Sequence, residues 1–265
     1  MFRLIDSNGL KYYKIDAFER TGLVRHCFTT RMGGVSGGEY SSMNLRMNCD
    51  DDKNNVKKNF KIICDEIGVN FENLVFSNQV HGDIIYDVEQ KDMGNGITKP
   101  NFLESADGLI TSQRGIPLVT FYADCVPLFF LDPEKKVIAL SHSGWRGTVK
   151  NIAAKTVEKM VRDYSSKPSD ILAAIGPSIG ECHFEVSDEV AEIFGNTEGG
   201  VAKKIDDKYY VNLQKTIENQ LISSGIEEKN LTVANICTYC NSDLLFSHRK
   251  TNGKRGSLAA IMELI

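Results

Sequence analysis

Three segments end a strand-like pattern with a side chain able to ligate a metal or attack an electrophile. They are Asn78-Gln79-Val80-His81-Gly82, Ala123-Asp124-Cys125-Val126-Pro127 and Ser141-His142-Ser143-Gly144-Trp145-Arg146-Gly147-Thr148. Two imidazoles and one thiolate, His81, His142 and Cys125, suit zinc and leave the fourth tetrahedral position open to water or substrate, as a catalytic site requires. Their separations of 44 and 17 residues match no local metal motif, so residue type alone carries that reading, and core-buried His and Cys would look the same. The three residues would equally serve a metal-free cysteine hydrolase, with Cys125 attacking and His142 or His81 as its base. Arg146 precedes a helical stretch that Thr148 could cap. Its guanidinium and the N–H groups at that helix start could hold a phosphate or a carboxylate, whereas a structural Arg146 would pair with a surface carboxylate while Trp145 fills the core.

Weaker signals lie further along. His183 and Glu185 in Gly180-Glu181-Cys182-His183-Phe184-Glu185-Val186 alternate with Phe184 as on a strand, which predicts that both point to one face. Cys237-Thr238-Tyr239-Cys240 has the CxxC spacing, but a structural zinc site needs four ligands and no second pair at matching spacing is evident, so buried thiols are expected there. Cys27, Cys49 and Cys64 are accounted for by packing. Seven cysteines is an odd number, and a disulfide framework is not expected.

The elements that must position these residues follow from periodicity. A first strand is expected at 23–30, followed by a loop with Gly33, Gly34, Gly37 and Gly38. A helix follows Asp50–Asp52, with Val56, Phe60, Ile63 and Ile67 on one face and Gly68 ending it. Strands are expected at 74–80, 84–88, 108–111, 118–122, 128–131 and 137–141. The best helix begins near Thr148 and carries Val149, Ile152, Ala153, Thr156, Val157, Met160 and Val161 on one face. Beyond it come a strand at 171–175, helices near 188–194 and 213–223, and strands at 231–236 and 257–264. Strands occur in runs rather than in strict alternation with helices, which predicts an α+β fold: one domain over residues 1–265, of mixed β-sheets flanked by helices.

Composition narrows the partners. Of 265 residues, 42% are apolar and 25% charged, with 31 Lys and Arg against 35 Asp and Glu. A net charge of −4 supplies no basic field for a nucleic-acid backbone or an anionic membrane. No window approaches the roughly 18 apolar residues of a membrane span. The amino terminus lacks the apolar segment of a secretory signal, so a cytoplasmic protein acting on a small molecule is expected.

Taken jointly, QVHG, ADC followed by Pro, HSGWRGT, GPSIG with CHFEV, and the late SHR and GKRG resemble one family: the YfiH/YlmD family of laccase-domain proteins. Its members are regarded as purine nucleoside phosphorylases and also labelled polyphenol oxidoreductases or peptidoglycan editing factors. The resemblance runs from Thr30-Arg31-Met32-Gly33-Gly34 to the carboxyl terminus. It departs in the early loop, where the family's Asn-Leu-Gly reads Asn44-Leu45-Arg46. The resemblance implies a mixed sandwich and one catalytic zinc on His81, Cys125 and His142. It further implies phosphorolysis of adenosine, inosine, guanosine and methylthioadenosine, with adenosine deamination as a second activity. Arg31, Asn44, Gln79, Asp124 and Glu185 become the candidate substrate-binding residues, beside Arg146 for phosphate. A homodimer is compatible with this reading.

Chemistry limits the alternatives. A multicopper oxidase needs many more imidazoles than the five histidines present, although a single copper could replace zinc on nitrogen and sulfur ligands. The H-x-E with P-C-x-x-C signature of zinc deaminases is absent, so deamination would draw its acid or base from Asp83, Asp124 or Glu185.

Overall fold

The computed structural model describes residues 1–265. Strands that are apolar on both faces must be covered on both sides, and the centre of the molecule is built on two of them. Val126–Asp132 and Val137–Ser143 are buried at every position and pair antiparallel from Val126 opposite Ser143 to Asp132 opposite Val137. Their alternate side chains enter different cores. Phe129, Leu131, Ile138 and Leu140 meet Phe28, Leu118, Tyr122 and Met262 of a second sheet. Leu128, Phe130, Val137 and Ala139 meet Val157 and Met160 of the helix Ile152–Tyr164 and Ile217 and Leu221 of the helix Leu213–Ser223.

The layers follow from that alternation. The first sheet runs in the order Phe2–Ser7, Leu10–Ile15, Val24–Thr29, Leu258–Leu264, Leu118–Tyr122, Val75–Phe76. The second runs Leu231–Val233, Leu172–Ile175, Val126–Asp132, Val137–Ser143, Gly108–Thr111, Ile85–Asp87. The outer face of the first sheet is covered by the helix Lys53–Ile67, which buries Val56, Phe60, Ile63 and Ile67 against Cys27, Val119 and Ile261. Asp52 caps that helix by accepting the Asn54 N–H at 2.8 Å, and Gly68 ends it in the left-handed region at φ +75°. A small third sheet, Glu185–Val186, Lys208–Val211 and Ala202–Ile205, sits to one side. The result is the α+β sandwich of mixed sheets flanked by helices that the pattern predicts.

Three local expectations are corrected. Of the strand expected at 74–80 only Val75–Phe76 forms, because a buried carboxylate takes the N–H groups of Val80, His81 and Gly82 that a sheet would otherwise use. Thr148 does not cap the long helix: it is buried inside the short helix Trp145–Val149, with its hydroxyl 3.0 Å from the Gly144 carbonyl and 2.9 Å from Ser143 Oγ. Asn151 in the left-handed region then breaks the chain before Ile152. Finally, His183 and Glu185 do not share a strand face, since the strand begins only at Glu185.

Candidate metal centre

The chain crosses from the first sheet to the second in three residues, Ala123–Cys125, between the strands Leu118–Tyr122 and Val126–Asp132. Asp124 takes φ +88° in that crossing, a backbone conformation that side chains rarely adopt and that surrounding bonds must hold. Those bonds are present. Its carbonyl accepts the Ile179 N–H at 2.8 Å, and its carboxylate accepts from Thr238 Oγ1 at 2.6 Å and from the Arg249 N–H at 2.7 Å. Cys125 is thereby fixed at the end of the sandwich. His142 stands on the neighbouring strand, opposite Pro127, and His81 reaches the same place from the loop after Val75–Phe76.

One residue outside the sequence-derived candidates organises both histidines. Gly108–Thr111 runs antiparallel to Val137–Ser143 with Gly108 opposite Ser141, which brings Asp107 beside His142. The Asp107 carbonyl accepts the His142 N–H at 2.7 Å, and its carboxylate takes His142 Nδ1 at 2.8 Å. The same carboxylate accepts the N–H groups of Val80, His81 and Gly82 at 2.8–3.0 Å. A single buried group thus orients one imidazole and clamps the loop that carries the other, as outer partners of metal-binding histidines do.

The donor atoms of His81, Cys125 and His142 lie within 4.8 Å of one another. Space is kept for them: a Cβ on Gly144 would stand 2.7 Å from His81 Nδ1 and 3.1 Å from Cys125 Sγ. Electrostatics follow the geometry. Burial opposes charge on His142, but the facing Cys125 and the Asp107 carboxylate push its pKa up to about 9. For Asp107 burial acts upward, yet the His142 bond and charge and the N–H groups of Val80 and Gly82 hold it below the usual carboxylate value. His81 is lowered by burial and then by His142, with a smaller contribution from the Arg146 charge. Two nitrogen donors and one sulfur, converging and oriented by an outer carboxylate, fit a metal ion with one position left open.

That position faces a cavity of about 860 Å³, within the range of small-molecule sites, roughly 300–1,000 Å³. Five cationic side chains, Arg46, Lys53, Lys99, Arg249 and Arg255, line it against the single carboxylate of Asp124. Arg255 is lowered by burial and by the charge of Arg46, and its Nε is buried without a partner. Phe76, Phe121, Tyr122 and Phe184 supply aromatic surface in the same cavity, and His248 also lines it.

The candidate residues divide around this cavity. Gln79 and Asp124 line it with the three donors. Gln79 pairs with the backbone of Phe121 in both directions, at 2.7 and 2.8 Å. Arg31, Asn44, Glu185 and Arg146 lie outside the lining. The Arg31 guanidinium donates to the carbonyls of Ser41 and Ser242. Asn44 is buried and holds Asp51, Arg46 and Ser257, while Glu185 pairs with Lys208 at 2.9 Å. Arg146 is exposed and stacks over Trp145 at 4.3 Å. Asp83 pairs with Lys150 and Lys155. Asp107, Arg46, His248, Arg249 and Arg255 were not among the candidates, although SHR and GKRG flagged the segments of the last three.

Comparison with known proteins places this geometry. The family described as multi-copper polyphenol oxidoreductase laccase matches residues 25–265. A protein named purine nucleoside phosphorylase YlmD, from Bacillus subtilis, is 32% identical over 240 residues, covering 89% of this chain and 86% of its own. The chain belongs to the YfiH/YlmD family of laccase-domain proteins. Within that family, a hypothetical protein YfiH of Bacillus licheniformis has a crystal structure that superposes with a TM-score of 0.92 at 32% identity, over 100% of this chain and 99% of the other. A protein named adenosine deaminase RL5, from an unknown prokaryote, is also 32% identical, over 84% of this chain and 87% of its own. No helix is long and apolar enough to cross a membrane.

Proposed function

We propose that this protein is a zinc-dependent purine nucleoside phosphorylase with adenosine deamination as a side activity. Adenosine, inosine, guanosine and methylthioadenosine are its substrates together with phosphate. The observation that carries the reading is the charge of the cavity: five cations against one carboxylate, in a chain of net charge −4, beside an open three-donor centre and aromatic walls. An anion is the partner that such a lining favours. Arg255, whose charge burial and the neighbouring Arg46 oppose, gains most from a phosphate held beside both guanidiniums. The phosphate role that the sequence suggested for Arg146 moves, in this proposal, to that pair and His248. Arg146, Arg31, Asn44 and Glu185 then act on the loops around the site.

The residues divide the work accordingly. Arg255 and Arg46 orient a phosphate oxygen toward the anomeric carbon, so that the new C–O bond forms as the bond to the purine nitrogen breaks and its electron pair leaves with the base. Phe76, Phe121 and Phe184 stack on the purine and exclude water from it. His81, Cys125 and His142 would hold the metal, and Asp107 orients the His142 ring through its Nδ1, leaving the other ring nitrogen free toward the site. When bound, zinc would supply Lewis acidity, a positive centre for the departing base or for activating the deaminating water.

The test is product analysis on zinc-loaded protein with adenosine and phosphate. Adenine and ribose 1-phosphate are expected, with inosine as the minor product; chelation abolishes both and zinc restores them. Absence of base release and of deamination from all three of adenosine, inosine and guanosine overturns the assignment. Arg255→Ala should raise the phosphate KM tenfold to a hundredfold, from the loss of about 1.5–3 kcal/mol, while deamination falls much less. A second reading rests on Cys125, His142 and Asp107, which reproduce the nucleophile, base and orienting acid of a cysteine hydrolase. That enzyme would survive chelation and be killed by alkylation of Cys125.

A further inference from the structure

A second group of metal-capable side chains lies outside the cavity. Cys182, His183, Cys237 and Cys240 bring three sulfurs and one imidazole nitrogen within 4.8 Å of one another. A tetrahedral zinc with Zn–S near 2.3 Å and Zn–N near 2.0 Å has S···S edges of about 3.8 Å and S···N edges of about 3.5 Å. Here Cys182 Sγ and Cys240 Sγ are 3.7 Å apart, and His183 Nδ1 stands 3.2 Å from Cys182, 3.3 Å from Cys240 and 4.0 Å from Cys237. We propose that these four residues bind a second, structural zinc ion.

Several features belong to such a site and have no other evident purpose. Cys182 and Cys240 are exposed, so hydrophobic burial does not explain their meeting, and the expectation of buried thiols at the CxxC is corrected. Cys237 Sγ accepts the Gly180 N–H at 3.2 Å, the bonding that a thiolate, not a thiol, profits from. His183 is held in plane by Tyr239, stacked at 3.9 Å and 15°, and its carbonyl is held by Arg249 at 3.1 Å. Four protein donors close the coordination sphere, which makes the ion structural. Binding releases the three thiol protons to solvent.

The position of the site gives it a task. It ties the turn at 180–183 to the loop at 237–240, two segments otherwise joined by the His183–Tyr239 stack, the Gly180–Cys237 hydrogen bond and, beside them, the Ser178–Ile236 and Thr238–Ser178 bonds. Thr238, inside the CxxC, donates to Asp124, the residue before Cys125. Phe184 and Arg249, next to the same turn, line the cavity. The second zinc therefore braces one wall of the first site.

Metal analysis of the full-length protein, isolated under reducing conditions and supplied with zinc alone, tests the proposal. Two zinc ions per chain are expected. Cys237→Ser should hold one, and His142→Ala, which leaves the second cluster untouched, should also hold one. In the His142→Ala protein the exposed Cys182 and Cys240 should resist alkylation until a chelator is added. If Cys237→Ser fails to fold, the His142→Ala measurement decides alone. Loss of all zinc from His142→Ala, rapid alkylation of Cys182 and Cys240 in zinc-supplied protein, or a Cys182–Cys240 disulfide in protein kept reduced would each overturn the second site. None of these readouts uses activity, so they stand whatever reaction the cavity performs.

Discussion

The two clusters use the same donor types to opposite ends. His81, Cys125 and His142 come from three segments at the end of the sandwich; His142 is only 4% exposed, and each is placed by something other than a metal, whether strand pairing, the Asp107 carboxylate or the strained Asp124. Cys182, His183, Cys237 and Cys240 come from two short loops, half of them exposed, with few contacts of their own to fix them. In the first case the fold holds the donors; in the second a metal would hold the fold. An incomplete donor set must be preorganised because its open position leaves it one ligand short, whereas a complete set can supply its own folding energy.

The comparison breaks most sharply if the two sites are emptied separately. His142→Ala or Cys125→Ala should leave activity at background, yet change the thermal unfolding midpoint little more than an ordinary core substitution. Cys237→Ser should do the reverse, lowering the midpoint by many degrees while the cleft keeps its zinc. Calorimetry and metal analysis on the same preparations check both. Equal destabilisation by the two substitutions would remove the distinction between a site held by its fold and one that holds it.

A smaller effect is expected from Asp107→Asn, which keeps the volume but removes the charge and one acceptor. Four N–H donors now share that carboxylate, and an amide cannot serve them all. Metal affinity or activity should fall about 10- to 100-fold, as for other outer partners of ligating histidines. Competitive zinc titration measures it. An unchanged affinity would mean that strand pairing alone orients His142.

The link between the clusters should be weaker again. Thr238→Val removes one hydrogen bond to Asp124, worth about 1 kcal/mol, and leaves all seven metal donors in place. A few-fold change in activity with both zinc ions retained is expected; no change would show the two sites to be independent.

How much of this the sequence revealed depends on how far each partner lies along the chain. The three cleft donors stand at the ends of strong apolar runs and could be picked out by type. Asp107 could not, because its role arises from the register of two strands, Gly108 against Ser141; the small residues Ser105-Ala106 before an apolar strand were its only local sign. The second cluster was half visible as CxxC, but its other pair lies about 55 residues earlier and meets it only through the fold. The helix with Val56, Phe60, Ile63 and Ile67 was legible in full because propensity, cap and burial agree. The amino-terminal hairpin Phe2–Ser7 with Leu10–Ile15 was not, since charges interrupt it; Asn8 and Gly9, at φ +53° and +90°, are the turn signal that could have found it.

The smallest effect on activity is expected from His26, the one histidine outside both clusters and outside the cavity lining. His26 is fully buried, accepts the Ile15 N–H on Nε2 at 2.8 Å, and has Nδ1 3.8 Å from Glu19, which is itself bound to Lys14. Burial, with the Lys14 charge, lowers its pKa to about 3. The unfolded chain takes up that proton near pH 6.5 and the folded chain does not until about pH 3. The neutral ring therefore contributes full stability above pH 6.5, and that contribution is lost as the pH falls toward 3, by up to about 1.4 kcal/mol per pH unit. His26→Gln keeps an acceptor for Ile15 and removes the titration. Its unfolding midpoint should lie below wild type at pH 7 and approach it as the pH falls to 5, with the zinc content at pH 7 unchanged. Midpoints that run parallel between pH 7 and 5 would show that the buried His26 ring does not set the acid lability of the fold, and that the proton is taken up elsewhere in the chain.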